Sequence, residues 1–121
     1  MSDKMPDSIL TYIKKLLGID AEETDFDSDI VLFINSAIAA YYQIGVGERD
    51  FIITGTNETW DDYEPDPHIA SLLKTGIFYR VKLAFDPPAS SSAMQALKEL
   101  SAEADWRISC VTIPSQRTED L

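Results

Sequence analysis

The chain has 121 residues and a formal net charge of −11, from 21 acidic and 10 basic side chains. This length suits one domain, and 45% hydrophobic residues are enough for a core of ordinary size. The acidic balance argues against a nucleic-acid-binding surface, because affinity for phosphates depends on clustered Lys and Arg. The many aliphatic and aromatic residues exclude a disordered acidic tail.

A single cysteine, Cys110, excludes an intramolecular disulfide framework and fits a reducing compartment. Residues 1–9 carry Asp3, Pro6 and Asp7, where a secretion signal needs a basic start and a long apolar run. No apolar stretch approaches the roughly 18–20 residues of a membrane-spanning helix. We therefore expect an intracellular chain with no membrane partner.

An amphipathic helix is predicted first, over about residues 7–17. Asp7 or Ser8 is placed to cap it, and Gly18 is a natural terminator. Lys14 and Lys15 are expected on its exposed side. The apolar residues follow the helical period: Ile9, Leu10, Ile13, Leu16 and Leu17.

An exposed connector rich in acids, residues 20–29, leads to a second helix predicted over about 28–43, capped by Asp27 or Ser28. Phe33 and Tyr42 lie off the main apolar stripe of this helix. A helix that is apolar around most of its circumference is either central to a bundle or covered on a second side by another chain.

Residues 46–64 are the least helical part of the sequence. They are predicted to form an irregular insert or a small β-hairpin, with Phe51-Ile52-Ile53 as one strand and Thr59-Trp60 as its partner.

Two further helices are predicted over about 66–85 and 90–107. Asp66-Pro67 starts the first of them, and Asp86-Pro87-Pro88 ends it. Residues 108–121 are predicted to be an extended tail with an apolar strip. The expected fold is therefore a single, mostly α domain over 1–121: a four-helix bundle with one insert and an extended C-terminal tail.

Side chains suited to catalysis are scarce. There is one histidine, His68, and one cysteine, Cys110, so neither has the partners that nucleophilic or acid–base catalysis requires. We expect His68 to be exposed and Cys110 to be a buried, inert thiol. Asp25, Asp27 and Asp29 have the spacing that opens a calcium loop, but the sixth position of that loop is Ile30 and the twelfth is Ser36, where Gly and Glu are needed. We therefore expect no enzyme and no cofactor or metal site.

Two sets of residues remain as candidates for binding other proteins. Aromatic residues in loops and an apolar tail are common where a second chain completes the burial. The candidate interface residues are Phe33, Tyr42, Trp60, Tyr63, Ile108, Val111 and Ile113. The candidate acidic surface comprises Glu22, Glu23, Asp25, Asp61, Asp62 and Glu64.

Three segments of the chain together resemble the head-tail connector, or adaptor, proteins of long-tailed phages and prophages. In order, they are ILTYIKKLLGIDAEETDFDSDIVLFINSAIAAYYQIGVG, ETWDDY and FDPPASSSAMQALKELSAEADWRI. Together they cover roughly residues 7–108, and their order and spacing carry the likeness.

The resemblance implies a structural subunit of the phage neck, without a cofactor. Such subunits form a ring between portal and tail, through which the genome passes and to which the tail attaches. The implied partners are other copies of the chain, in a cyclic assembly that can depend on the portal, the portal protein, and a downstream neck or tail protein. DNA would pass without specific binding. The implied location is the virion neck, after assembly in the bacterial cytoplasm.

The competing hypothesis is an acidic inhibitor that mimics DNA and binds a nucleic-acid-binding protein. The net charge of −11 permits it. Against it, ten acids fall into two short segments, residues 20–29 and 61–66, instead of lining a long helical face.

Overall fold

The computed structural model describes the backbone of residues 8–120 and the side chains of residues 8–112. This part of the chain contains helices and no strand, so the predicted all-α fold is confirmed. The helices are α1 (Ile9–Leu17), α2 (Asp27–Gln43), α3 (Trp60–Tyr63), α4 (Pro67–Phe85) and α5 (Ser91–Asp120).

Helix α1 begins and ends at the predicted signals. The side chain of Ser8 accepts a hydrogen bond from the amide of Thr11 at 3.2 Å. Gly18 adopts the left-handed conformation, with φ of 84°, which costs glycine least. Asp7, the other predicted cap, lies outside the described residues.

Lys14 corrects the expectation that both lysines of α1 are exposed. Its side chain is only 2% exposed, and its Nζ donates to the carbonyl oxygens of Ala21 at 3.1 Å and Glu23 at 2.6 Å. The same ammonium pairs with Asp27 Oδ1 at 2.8 Å. The acidic connector therefore folds over Lys14, because its backbone and one of its carboxylates supply the oxygens that a buried ammonium requires.

The start of α2 follows from this arrangement. The cap residue is Phe26, which makes no side-chain capping bond, and the helix begins at Asp27. Asp27, one of the two predicted caps, is instead engaged by Lys14. The predicted boundaries of this helix are otherwise correct to within one residue.

The predicted β-hairpin in residues 46–64 is wrong. Phe51-Ile52-Ile53 is irregular and has no partner strand in the described chain. The side chain of Asn35 on α2 takes that role: its Nδ2 donates to the carbonyl of Ile53 at 3.0 Å, and its Oδ1 accepts from the amide of Ile53 at 2.8 Å. One side-chain amide thus satisfies both backbone groups, so no second strand is needed.

The second half of the supposed hairpin forms α3. Thr59 and Asp62 make a reciprocal capping box, with the Thr59 side chain accepting from the Asp62 amide at 3.1 Å and the Asp62 carboxylate accepting from the Thr59 amide at 3.0 Å. The one-turn helix turns two aromatic rings inward. Trp60 packs edge to face against Tyr12, with 5.6 Å between the ring centres, and Tyr63 stacks on Phe51, with 5.1 Å between the ring centres.

Helix α4 is the centre of the fold, since it packs against each of the other four helices. Its buried face is Ala70, Leu73, Gly76, Ile77 and Val81. Asp66 caps it by accepting from the amide of His68 at 2.9 Å, and Pro67 occupies the first helical position, as predicted.

The predicted extended tail is also wrong: α5 continues through residues 108–120 instead of ending near 107. Ile108 lies one helical turn beyond Ala104, and both are buried against the rest of the subunit. Thr112 Oγ1 donates to the carbonyl of Ile44, at the end of α2, at 3.1 Å. The helix continues across Pro114, although proline usually disfavours a helix interior.

Candidate assembly surface

A polar cluster ties α2, α4 and α5 together. Tyr41 OH donates to Asp105 Oδ1 at 2.6 Å, and Arg80 Nη2 donates to Asp105 Oδ2 at 2.9 Å. The guanidinium of Arg80 also lies 5.0 Å from the centre of the Tyr41 ring. The spacing of the sequence assigns Asp105 to the exposed side of its helix, whereas here it is half-buried and fixes α5 against the bundle.

The hydroxyl of Tyr41 remains a donor across the ordinary pH range. Burial raises the pKa of Tyr41 well above its usual value, and the neighbouring Asp105 carboxylate raises it further. The hydroxyl reaches Asp105 across α4 at the position of Gly76, where no side chain obstructs it.

Replacement of Tyr41 by phenylalanine is expected to lower the free energy of unfolding by about 1–2 kcal/mol, because a hydrogen bond to a carboxylate is lost. Urea denaturation followed by circular dichroism measures this loss. Tyr42→Phe is the matched control, because Tyr42 is the neighbouring, exposed tyrosine of the same helix. Equal effects of the two substitutions would contradict a special contribution of the cluster.

An open groove lies beside this cluster, between α2, α4 and α5. Its volume is about 520 Å³. Phe33, one of the predicted interface residues, forms part of the wall, and Arg80 and Asp105 also line it. The rest of the lining is Ser36, Ala37, Leu83, Ala84, Lys98, Ser101 and Ala102.

An aromatic cluster extends the apolar surface beyond the groove. Phe85 contacts Phe33 at 6.4 Å and Phe26 at 5.6 Å between ring centres. Phe26 is exposed, and the other two rings are half-buried. The groove therefore continues into an apolar patch that the subunit does not cover.

Trp106 has the most exposed large apolar side chain among the described residues, at 65%. It lies on α5, on the side opposite the buried Ala104 and Ile108. The predicted interface residues do not include Trp106. The signal was present in the helical period, which assigns Trp106 to the same side as the polar Glu99 and Glu103.

The predicted interface residues differ in how far the subunit covers them, and Phe33, in the wall of the groove, is half-buried. The subunit itself buries Trp60, Tyr63 and Ile108, which are 4%, 4% and 0% exposed. Their burial is completed by α1, α4 and the 46–59 segment, so no second chain is needed to cover them. Tyr42 and Val111 are exposed. The side chain of Ile113 lies outside the described side chains.

The predicted acidic surface is accessible. Glu64 is half-buried, and the other five residues are exposed: Glu22, Glu23, Asp25, Asp61 and Asp62. Asp62 and Glu64 also accept backbone hydrogen bonds within their own loop, and the remaining acids have no fixed partner among the described residues. The structure thus keeps these carboxylates at the surface of the subunit.

The described side chains contain no group of three His, Cys, Asp or Glu residues arranged to hold a metal ion. His68 is exposed at the start of α4, as expected. Cys110 is half-buried, where full burial was expected. The surface of residues 8–112 therefore offers grooves and charge, and the cluster of Tyr41, Arg80 and Asp105 serves to join helices.

A family model described as phage connector protein matches residues 9–113. The chain belongs to the phage connector family. The resemblance drawn from the sequence is thereby confirmed. Comparison with curated proteins gives no match, and comparison with solved structures gives none.

Membership in the connector family indicates a structural protein of the phage neck, in a family that is not known as enzymatic. The match covers α1 to α4 completely and α5 as far as residue 113, so it includes both the groove and Trp106. In the part of this connector that the structure describes, no helix combines the length and apolar character needed to cross a membrane.

Proposed function

We propose that this connector forms a ring between the portal and the tail, through which the genome passes and to which the tail attaches. The observation that carries the proposal is the family match over residues 9–113. Its partners would be other copies of the chain, the portal protein and a downstream neck or tail protein. Assembly would take place in the bacterial cytoplasm, and the mature location would be the virion neck.

The surface of the subunit supports a role in assembly. An exposed tryptophan and an apolar groove are typical of surfaces that another chain covers. Phe33 and Tyr42 remain candidate interface residues on α2, and Val111 remains one on α5.

The acidic surface suits a channel for DNA. Carboxylates repel phosphates, so a ring that presents Glu22, Glu23 and Asp25 or Asp61 and Asp62 to its channel would let the genome slide without binding it. The same charges would otherwise serve as contacts for basic surfaces of a neighbouring neck protein.

An acidic inhibitor that mimics DNA is less well supported. Such a protein needs carboxylates that are free and spaced like phosphates along one face. Here Asp27 is engaged by Lys14, Asp62 caps α3, and Asp105 joins three helices. The family match favours the connector role instead.

The test is the mass of the purified protein, alone and mixed with the portal protein of the same phage. Light scattering and negative-stain electron microscopy should show a closed ring, either free or seated on the portal. A portal from an unrelated phage is the control for specificity. The proposal would be refuted if the protein stays monomeric both alone and with its own portal, and does not bind that portal.

A further inference from the structure

We infer that Trp106 of one subunit inserts into the groove between α2, α4 and α5 of the next subunit. This inference rests on the proposed ring and names the contact that would close it. The occupant of the groove is therefore a second copy of the same chain, and the contact is head-to-tail.

The two halves of this contact lie on different faces of α5. Asp105 and Ser101 line the groove, whereas Trp106 lies about 100° further round the helix from Asp105. Trp106 is thus not among the residues that line the groove of its own subunit, and Ala102, one helical turn before it, lies at the near edge of that groove. A projection and a recess on different faces produce a heterologous interface, which repeats from subunit to subunit and closes into a ring when the rotation permits.

Size favours this groove over the others on α5. Its volume of about 520 Å³ falls within the range of roughly 300–1,000 Å³ found for pockets that bury small organic groups, so an indole fits. The recess on the other flank of α5, beside Leu100 and Tyr79, has a volume of about 160 Å³. That volume falls below the same range, and the charged residues of this recess, Glu103 and Arg107, already pair with each other.

Charge favours a copy of this chain as the occupant. Lys98 lies exposed at the groove and forms no ion pair with the side chains described over residues 8–112. The helical face that carries Trp106 also carries the exposed carboxylate of Glu99. Docking that face into the groove would bring this carboxylate toward an unpaired ammonium. In a chain with net charge −11, an unpaired lysine in an apolar groove is well placed to receive an acidic copy.

Trp106 should contribute most of the binding free energy of this contact. Tryptophan is enriched among the few residues that dominate binding, especially where a pocket removes it from water. Phe33 and Leu83 would supply the apolar walls of that pocket.

Trp106→Ala is expected to raise the concentration needed for half-maximal assembly by at least about tenfold, with or without the portal. Leu32→Ala is the matched control, because Leu32 is 60% exposed on α2 and does not line the groove; its effect should stay within about twofold. Circular dichroism of both variants checks that the helices persist.

A second variant blocks the recess instead of removing the projection. Ala84 is exposed and lines the groove, so Ala84→Trp should fill it without entering the core, and it should abolish assembly as well. Mixing the Trp106→Ala and Ala84→Trp proteins leaves one intact projection and one intact recess per pair. The mixture should therefore give heterodimers and no rings.

Fluorescence gives an independent readout. Trp60 is buried in the subunit and Trp106 is exposed, so acrylamide should quench mainly Trp106 in the monomer and lose access to it on assembly. Protection that appears only in the portal complex, while the variant subunits still assemble, would place Trp106 against the portal and overturn the inference.

The remaining outcomes are also decisive. If the natural protein forms rings and Trp106→Ala forms them at the same concentration, the inference fails and the proposed function stands. Rings from the mixed variants would likewise refute a head-to-tail contact. If the natural protein never assembles, even with its portal, the proposed function fails and this inference fails with it.

Discussion

Replacement of Lys14 by methionine is expected to lower the free energy of unfolding by about 3 kcal/mol. Methionine keeps the length of the side chain, but it removes the ammonium that Asp27 and two backbone carbonyls contact. Removing one partner of a buried ion pair leaves the other without compensation, and that cost is large. Asp27 is 27% exposed, which keeps the loss at the lower end of the range for such pairs.

The measurement is urea denaturation. If the slope of the unfolding free energy against urea concentration is unchanged, a lower midpoint concentration reports a loss of stability alone. Lys15→Met is the matched control, because Lys15 is the adjacent, exposed lysine, and its change should stay within about 0.5 kcal/mol. In Lys14→Met, hydrogen exchange should also become faster at the amides of residues 20–27, because Lys14 no longer bonds to the backbone of that connector. Equal stability of the two variants would show that the ammonium does not hold the connector.

Replacement of Gly76 by alanine is expected to destabilise the protein by about 2–3 kcal/mol. In an ordinary helix the same change is favourable by roughly 1 kcal/mol, so the expected effect has the opposite sign. The added Cβ would collide with the hydroxyl of Tyr41 and lie 3.0 Å from Ile108 Cδ1. The helices α2 and α5 would have to move away from α4, and the bond from Tyr41 to Asp105 would be strained.

A double-mutant cycle with Tyr41→Phe identifies the cause. If the collision is with the Tyr41 hydroxyl, removing that hydroxyl relieves part of the strain, and the double variant loses less than the sum of the two single variants. Additivity to within about 0.5 kcal/mol would mean that Gly76 matters for another reason. Thr75→Ala is a control for helix propensity at an adjacent, exposed position.

Much of the helical order could be predicted from the sequence because its signals are local. Ser8 and Gly18 bound α1, Asp66 and Pro67 start α4, and the prolines after Asp86 end it. Capping and amphipathic spacing act over three or four residues, so they do not depend on how the rest of the chain folds. The family resemblance rested on the same segments, and it was confirmed.

The insert and the last helix could not be predicted in the same way. The backbone of Ile53 bonds to Asn35, 18 positions away, and a pattern that looks like a strand gives no sign of this partner. The apolar residues from Ile108 to Ile113 fit an extended strip and a helix about equally. The contacts of Ile108 near Gly76 and of Thr112 with Ile44 favoured the helix.

The candidate assembly surface, like the fold, was predicted only in part from the sequence. Composition identified the acidic loops, because charged residues at high density remain in solvent. Aromatic content suggested an interface, but it could not distinguish Trp60, which the subunit buries, from Trp106, which it exposes.

The sequence by itself determined the helical class, most helix boundaries, the acidic surface and the family. Only the tertiary structure decided which side chains are buried: Lys14 under the connector, Tyr63 in the core, Tyr41 against Asp105. The physical reason is that helix formation depends on neighbours one turn away, whereas burial depends on distant partners, such as Asp105, which is 64 positions from Tyr41. Those partners meet only when the helices pack, and Gly76 leaves the space in which Tyr41 and Asp105 do so.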